Sequence, residues 1–145
     1  SSTDRSYKSG FPLHELTLTG GKYIPNDLHG YLGQSNSPAA MKLDFTASLI
    51  DAFEQSFTLT DPNTVSIATA VNSTTLKIDP KTGIFTGSFK QGVTAVTVPF
   101  AGILIDYEAG SDKSGYGHYL LPESKATNAP IRSASMTLRP APAGP

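Results

Sequence analysis

Thr74-Thr75-Leu76-Lys77-Ile78-Asp79-Pro80-Lys81-Thr82-Gly83-Ile84-Phe85-Thr86-Gly87-Ser88-Phe89 is the stretch that decides the fold. Its middle is a turn with a mechanism. Pro80 presets φ near about −65°, the Asp79 side chain can bond the backbone just ahead of it, and Gly83 closes the reversal in the left-handed region. Short apolar runs stand on either side, Leu76/Ile78 before it and Ile84–Phe89 after. Two such runs around a tight turn form an antiparallel hairpin.

Upstream, alternation is clearest in Met41–Ile50. Met41, Leu43, Phe45, Ala47 and Leu49 share one face, and Lys42, Asp44, Thr46 and Ser48 share the other. A period of two marks a half-buried strand. Phe53–Thr60 follows with Phe57 and Leu59, and Asp61-Pro62-Asn63 supplies a turn. Val65, Ile67 and Val71 predict another strand ending near Asn72, while Leu49–Gln55 has room for one helical turn. Near the start, Leu13–Thr19 places Leu16 and Leu18 on one face, and Gly20-Gly21 ends it.

Downstream, Gln91-Gly92 turns the chain into Val96–Ile105. Pro99 has no amide to give a ladder, so it marks an edge or a bulge there. Tyr116–Leu121 and Ala134–Leu138 complete the set, and Gly87 and Gly102 let strands coil sharply or approach closely. About eight or nine strands joined by turns, with no convincing helix, predict an all-β antiparallel meander. The in-strand glycines favour a small barrel over a sandwich.

The 145 residues are one domain's worth of chain. They divide into an extended N-terminal arm at 1–12, a single β-domain over 13–138 with a long loop at 22–39, and a Pro-rich tail at 139–145. Sixteen Ser and sixteen Thr with 13 Gly and 11 Pro suit strands and turns better than helices. Eleven basic and twelve acidic side chains leave a net charge of −1. That removes the electrostatic case for nucleic acid or an anionic membrane surface. No apolar run approaches the roughly 18 residues a membrane helix needs, so membrane insertion is not expected. The absence of Cys excludes disulfides, thiol nucleophiles and Cys-ligated zinc.

Three further segments carry a resemblance. They are Thr82-Gly83-Ile84-Phe85-Thr86-Gly87-Ser88-Phe89, Phe100-Ala101-Gly102-Ile103-Leu104, and Gly115-Tyr116-Gly117-His118-Tyr119-Leu120-Leu121. Together they resemble a β-hairpin module of large secreted bacterial surface proteins, in which T-G-x-F-x-G-S-F is followed by F-x-G-(V/I)-x-L and G-x-G-(Y/F)-F-L. Leu43–Thr60 and Thr74–Ile78 look like the strands that lead into it. Lys22–Ala39 and Pro122–Pro130 depart from the pattern. The resemblance implies a β-rich repeat and a secreted, periplasmic or cell-surface location, and it carries over no catalytic residue.

No constellation for chemistry emerges. His14, His29 and His118 lack the close pairing of zinc ligands. Asp106, Glu108 and Asp112 share a Gly-containing loop that reads as a solvated hairpin tip rather than a calcium site, because the full ligand order is missing. There is no G-x-S-x-G elbow and no phosphate-binding glycine motif. The expectation is therefore a non-catalytic chain with no cofactor and no metal, working through contact with protein partners or by self-association. Phe11, Tyr23, Leu28, Tyr31 and Leu32 are the expected contact residues, because the arm and the long loop hold more apolar mass than idle connections do. The alternative is a small-ligand or glycan binder using the barrel mouth, with Tyr23, Tyr31, Tyr107, Tyr116 and Tyr119 nearby. Filling of the interior by Phe45, Phe85, Phe89, Phe100 and Leu104 would count against it.

Overall fold

The computed structural model describes residues 21, 23, 28–32, 39–45, 52–60, 63–91, 96–105, 114–122, 124, 126 and 128–141. The predicted strand Leu13–Thr19, the arm with Phe11 and the acidic loop 106–112 lie outside these. Eight strands are described: β1 (Ala39–Phe45), β2 (Phe53–Thr60), β3 (Thr64–Ser66), β4 (Thr75–Ile78), β5 (Ile84–Gln91), β6 (Val96–Ile105), β7 (Ser114–Pro122) and β8 (Ile131–Pro140). All neighbours pair antiparallel in one sheet, in the order β3-β2-β1-β8-β7-β6-β5-β4. β1 and β8 are joined, and the two end strands β3 and β4 approach each other across the remaining seam. The sheet is thus a nearly closed barrel, the architecture that the alternation and the in-strand glycines predict.

The turn after β4 is built as its residues dictate. Asp79 accepts from the Lys81 amide (2.9 Å) and the Thr82 hydroxyl (2.9 Å), and the Gly83 amide donates to the Asp79 carbonyl (2.8 Å). Gly83 sits at φ +70°. The two strands then run in register from Ile78↔Phe85 to Thr75↔Ser88. Pro99 also stands where an edge is expected: β6 pairs with β7 only from Phe100↔Tyr119 onward, so no β7 ladder bond is asked of it.

Inward residues follow the alternation. Met41, Leu43, Phe45, Phe57, Leu59, Phe85, Phe89, Val98, Phe100, Leu104, Tyr119, Met136 and Leu138 form one buried cluster. Large and small positions are matched across it. The Phe85 ring lies where a Cβ at Gly102, Gly115 or Gly117 would stand, and the Phe100 ring occupies the place beside Gly87. At the other end of the interior the rings pack on one another. Phe45 stacks on Phe53 at 4.3 Å and meets Phe89 and Phe100 edge-on at 4.9 and 5.4 Å.

Three local expectations are corrected. The residues Phe53–Gln55 of the predicted helical turn belong to β2. The strand expected through Val71 stops at Ser66, and Val71–Ser73 form a 3-10 turn instead. The cause is Gln55, a buried side chain on β2: its Nε2 donates to the Thr69 carbonyl (2.9 Å) and its Oε1 accepts the Val71 amide (2.7 Å). Those bonds replace a ladder. Finally, β8 runs to Pro140, and the Ala141 amide donates to the Ala40 carbonyl (2.9 Å), so the first residues assigned to the tail are held in the sheet.

Candidate functional site

The described residues of the long loop are packed onto the barrel. Leu28–Tyr31 makes a single helical turn, closed by the Leu32 amide on the Leu28 carbonyl at 2.9 Å. Leu28, Tyr31 and Leu32 join the core cluster, Leu28 with no exposed surface. The Leu28 amide donates to Asn63 Oδ1 (2.8 Å) beside β3, and the Tyr23 hydroxyl donates to the Pro80 carbonyl (2.7 Å) after β4. Burial, then the nearby Asp79 carboxylate, raises the Tyr23 hydroxyl above its ordinary value, which keeps it a donor. Tyr23 and Tyr31 meet edge-on at 4.8 Å. These four expected contact residues therefore act inside the chain, bridging the strands that flank the seam, while Phe11 lies outside the described residues.

The histidines and tyrosines are dispersed. His29 is buried in the helical turn, and His118 is exposed on the outer face of β7. No group of three His, Cys, Asp or Glu that could hold a metal ion occurs among the described residues. Tyr119 is interior and Tyr116 exterior, so the tyrosines do not share one face.

The outer surface has two chemically different sides. Across β2, β1 and β8 it is charged. Lys42 Nζ lies 2.5 Å from Glu54 Oε2, and Arg139 reaches both Asp44 (Nε–Oδ2 2.5 Å) and Glu54 (Nη2–Oε1 3.6 Å). The Lys42 hydrogen bond is the chief cause holding the Glu54 carboxyl below its usual range. Near this side, Ala40, Met41, Ser56, Phe57, Thr58, Ser66, Ala68, Thr69 and Ala141 line an open groove of about 310 Å³ without a charged side chain.

Across β5, β6 and β7 the outer surface has few charges and carries a short apolar row. Register puts Ile84 beside Ile103 and Ile103 beside Tyr116. Paired residues of this kind have Cβ atoms about 5 Å apart, so the three side chains form one continuous row. The next row holds Thr86, Ala101, His118 and Ser135, and Leu120 stands further along β7. Ile84, Ile103, Tyr116 and Leu120 are 45, 47, 44 and 45% exposed, which makes them four of the most exposed large apolar residues described. Between that row and Leu120 no outward residue of β5–β7 is Asp, Glu, Lys or Arg; Lys90 stands exposed at the far end of β5, and Lys77 of β4 borders the second row beside Thr86. Contiguous apolar patches of this sort mark contact surfaces more often than scattered exposed residues do.

The amino-acid pattern held a signal for this patch that a strict two-residue alternation hides. Ile84-Phe85, Ile103-Leu104 and Leu120-Leu121 are adjacent apolar pairs inside strands. One member of each must face outward. No family model, curated protein or solved structure matches the chain.

Proposed function

We propose that this chain is a non-catalytic interaction module of a secreted or cell-surface assembly, acting by surface contact rather than by a reactive centre. The observation that carries this reading is the row of exposed Ile84, Ile103 and Tyr116 on the outer face of β5–β7, with Leu120 two rows along β7 and no Asp, Glu, Lys or Arg among the outward residues between them. Each of these side chains would gain on the order of 1 kcal/mol by completing its burial, and that gain needs a partner surface. The location rests on the resemblance of the Thr82–Leu121 segments to modules of secreted bacterial surface proteins. The alternative, a small ligand held within the barrel, has less in its favour because Phe45, Phe85, Phe89, Phe100 and Leu104 pack together in the interior.

Native mass spectrometry of the protein isolated from its source, without chelator or harsh detergent, tests the reading. A multiple of the chain mass, or a mixed complex, is expected. A single chain carrying a reproducible small-molecule mass would overturn it in favour of a ligand binder.

A further inference from the structure

We propose that the outer face of the β4–β5 pair binds a phosphate monoester group, seated on the hydroxyls of Thr75 and Ser88 between Lys77 and Lys90. This site is separate from the row of Ile84, Ile103 and Tyr116, and neither reading depends on the other.

Strand register supplies the geometry. Thr75 and Ser88 stand directly opposite each other with their hydroxyl oxygens 3.1 Å apart, and Thr75 Oγ1 accepts the Ser88 amide at 3.0 Å. One hydroxyl donates to the other, which uses one of the two protons. If Thr75 donates, the Ser88 proton is left over. If Ser88 donates, the Thr75 proton has only the Ser88 carbonyl at 3.4 Å, near the limit of a hydrogen bond. Either way one O–H can turn outward to an acceptor.

Two residues further along each strand stand Lys77 and Lys90. Antiparallel strands run in opposite directions from such a pair, so the two lysines lie on opposite sides of it. With strands about 4.8 Å apart and about 3.4 Å per residue, each lysine Cα lies roughly 7 Å from the midpoint of the hydroxyl pair. The period of two keeps all four side chains on one face, and both lysines are exposed. Each ammonium, on its flexible four-carbon stem, can therefore swing over the hydroxyls.

The fold offers these ammoniums no counter-charge. Strands β4, β5 and β6 hold no Asp or Glu. The acid nearest in sequence, Asp79, is held in its turn by the Lys81 amide and the Thr82 hydroxyl. Lys42 and Arg139 are paired with Glu54 and Asp44, whereas Lys77 and Lys90 have no ion-pair partner among the described residues. Two ammoniums and one hydroxyl give two positive charges and three directions of donation. A phosphate monoester brings close to two negative charges and three terminal oxygens at neutral pH, so charge and donors agree. A carboxylate would leave one ammonium uncompensated, and a neutral sugar would leave both.

Titration of the isotope-labelled full chain with β-glycerophosphate, followed by amide chemical shifts, tests the site. Saturable shifts confined to Thr75–Lys77 and Thr86–Lys90 are expected, with a dissociation constant of about 1–10 mM, the range of a few exposed charge contacts. Lys77→Gln and Lys90→Gln should each weaken binding about three- to fivefold, and the double variant about tenfold or more. Far-UV circular dichroism should not change, because both positions are exposed. Lys42→Gln, on the opposite side of the barrel, should titrate as the native chain does. Sodium acetate at matched ionic strength should leave the β4–β5 amides unmoved. Shifts spread over the barrel, equal shifts with acetate, or undiminished binding in the double variant would each overturn the site. Saturation by inorganic phosphate but not by β-glycerophosphate would overturn the monoester as its ligand.

Discussion

A methyl group added at Gly102 would run into the Phe85 ring and the Tyr116 carbonyl. Neither can withdraw easily. The carbonyl belongs to β7, and the ring is fully buried with Gly115 and Gly117 also against it. Gly102→Ala should therefore cost about 1–3 kcal/mol through overpacking, read as a lower urea midpoint. Thr86→Ala, one strand away on the exposed face, should stay within about 0.5 kcal/mol of the native chain. Equal midpoints for the two variants would remove the steric account. Asp79 gives a residue-level prediction of a different kind. Its carboxyl is held below the usual range, chiefly by the Lys81 amide and then by the Thr82 hydroxyl. A carboxylate whose folded value is depressed stabilises the fold above its unfolded value, about 3.9, and loses that contribution as pH falls through the folded value. Asp79→Ala should melt below the native chain at neutral pH, and the gap between the two melting temperatures should close on acidification below about pH 4. A gap that is constant with pH would show that the carboxylate charge is irrelevant to the turn.

At the scale of elements, the crossover from β3 to β4 hangs on one side chain. Gln55→Leu would take from the Val71 amide and the Thr69 carbonyl their side-chain partners; both residues are exposed and can turn to water, so the cost is that of lost hydrogen bonds, about 0.5–1.5 kcal/mol each. Amide hydrogen exchange should quicken over Ala68–Thr74 well before it changes in β6 and β7, because local opening follows the local bonds. Uniform quickening across the barrel would count against a local clamp. The same crossover shows where reading the chain in order stops working. β2 and β6 occupy the stretches their apolar periods predict, and the β4–β5 hairpin forms where Asp79, Pro80 and Gly83 direct it, since each of those signals is local. Val65, Ile67 and Val71 have strand character too, yet the segment is bent by a hydrogen-bonding side chain 14 and 16 residues away. Leu28, Tyr31 and Leu32 were legible as surplus apolar mass in a loop. That their destination is the chain's own core depends on Asn63 and Pro80 being brought beside them by strand pairing. The candidate surface was half legible: the adjacent pairs Ile84-Phe85, Ile103-Leu104 and Leu120-Leu121 require outward apolar residues, but only the register across three strands makes them neighbours.

Around the described barrel, ion pairs gather on the side of β2, β1 and β8 while the side of β5–β7 carries few charges, and the division gives association through either one a different response to salt. Contact made through Lys42, Asp44, Glu54 and Arg139 would rest on exposed ion pairs, which weaken as the screening length falls from about 10 Å at 0.1 M to about 4 Å at 0.5 M. Contact made through Ile84, Ile103 and Tyr116 has no charge to screen, and excluded salts such as sulfate strengthen the burial of apolar surface. The dissociation constant for association through that row should therefore stay level as sodium chloride rises from about 0.05 M to about 0.5 M, and it should fall when sodium sulfate replaces chloride at equal ionic strength. Sedimentation equilibrium in the two salts reads both effects. A dissociation constant that climbs steeply with chloride would move the contact to the charged side, around Arg139 rather than Ile103, and Ile103→Lys would then leave it untouched.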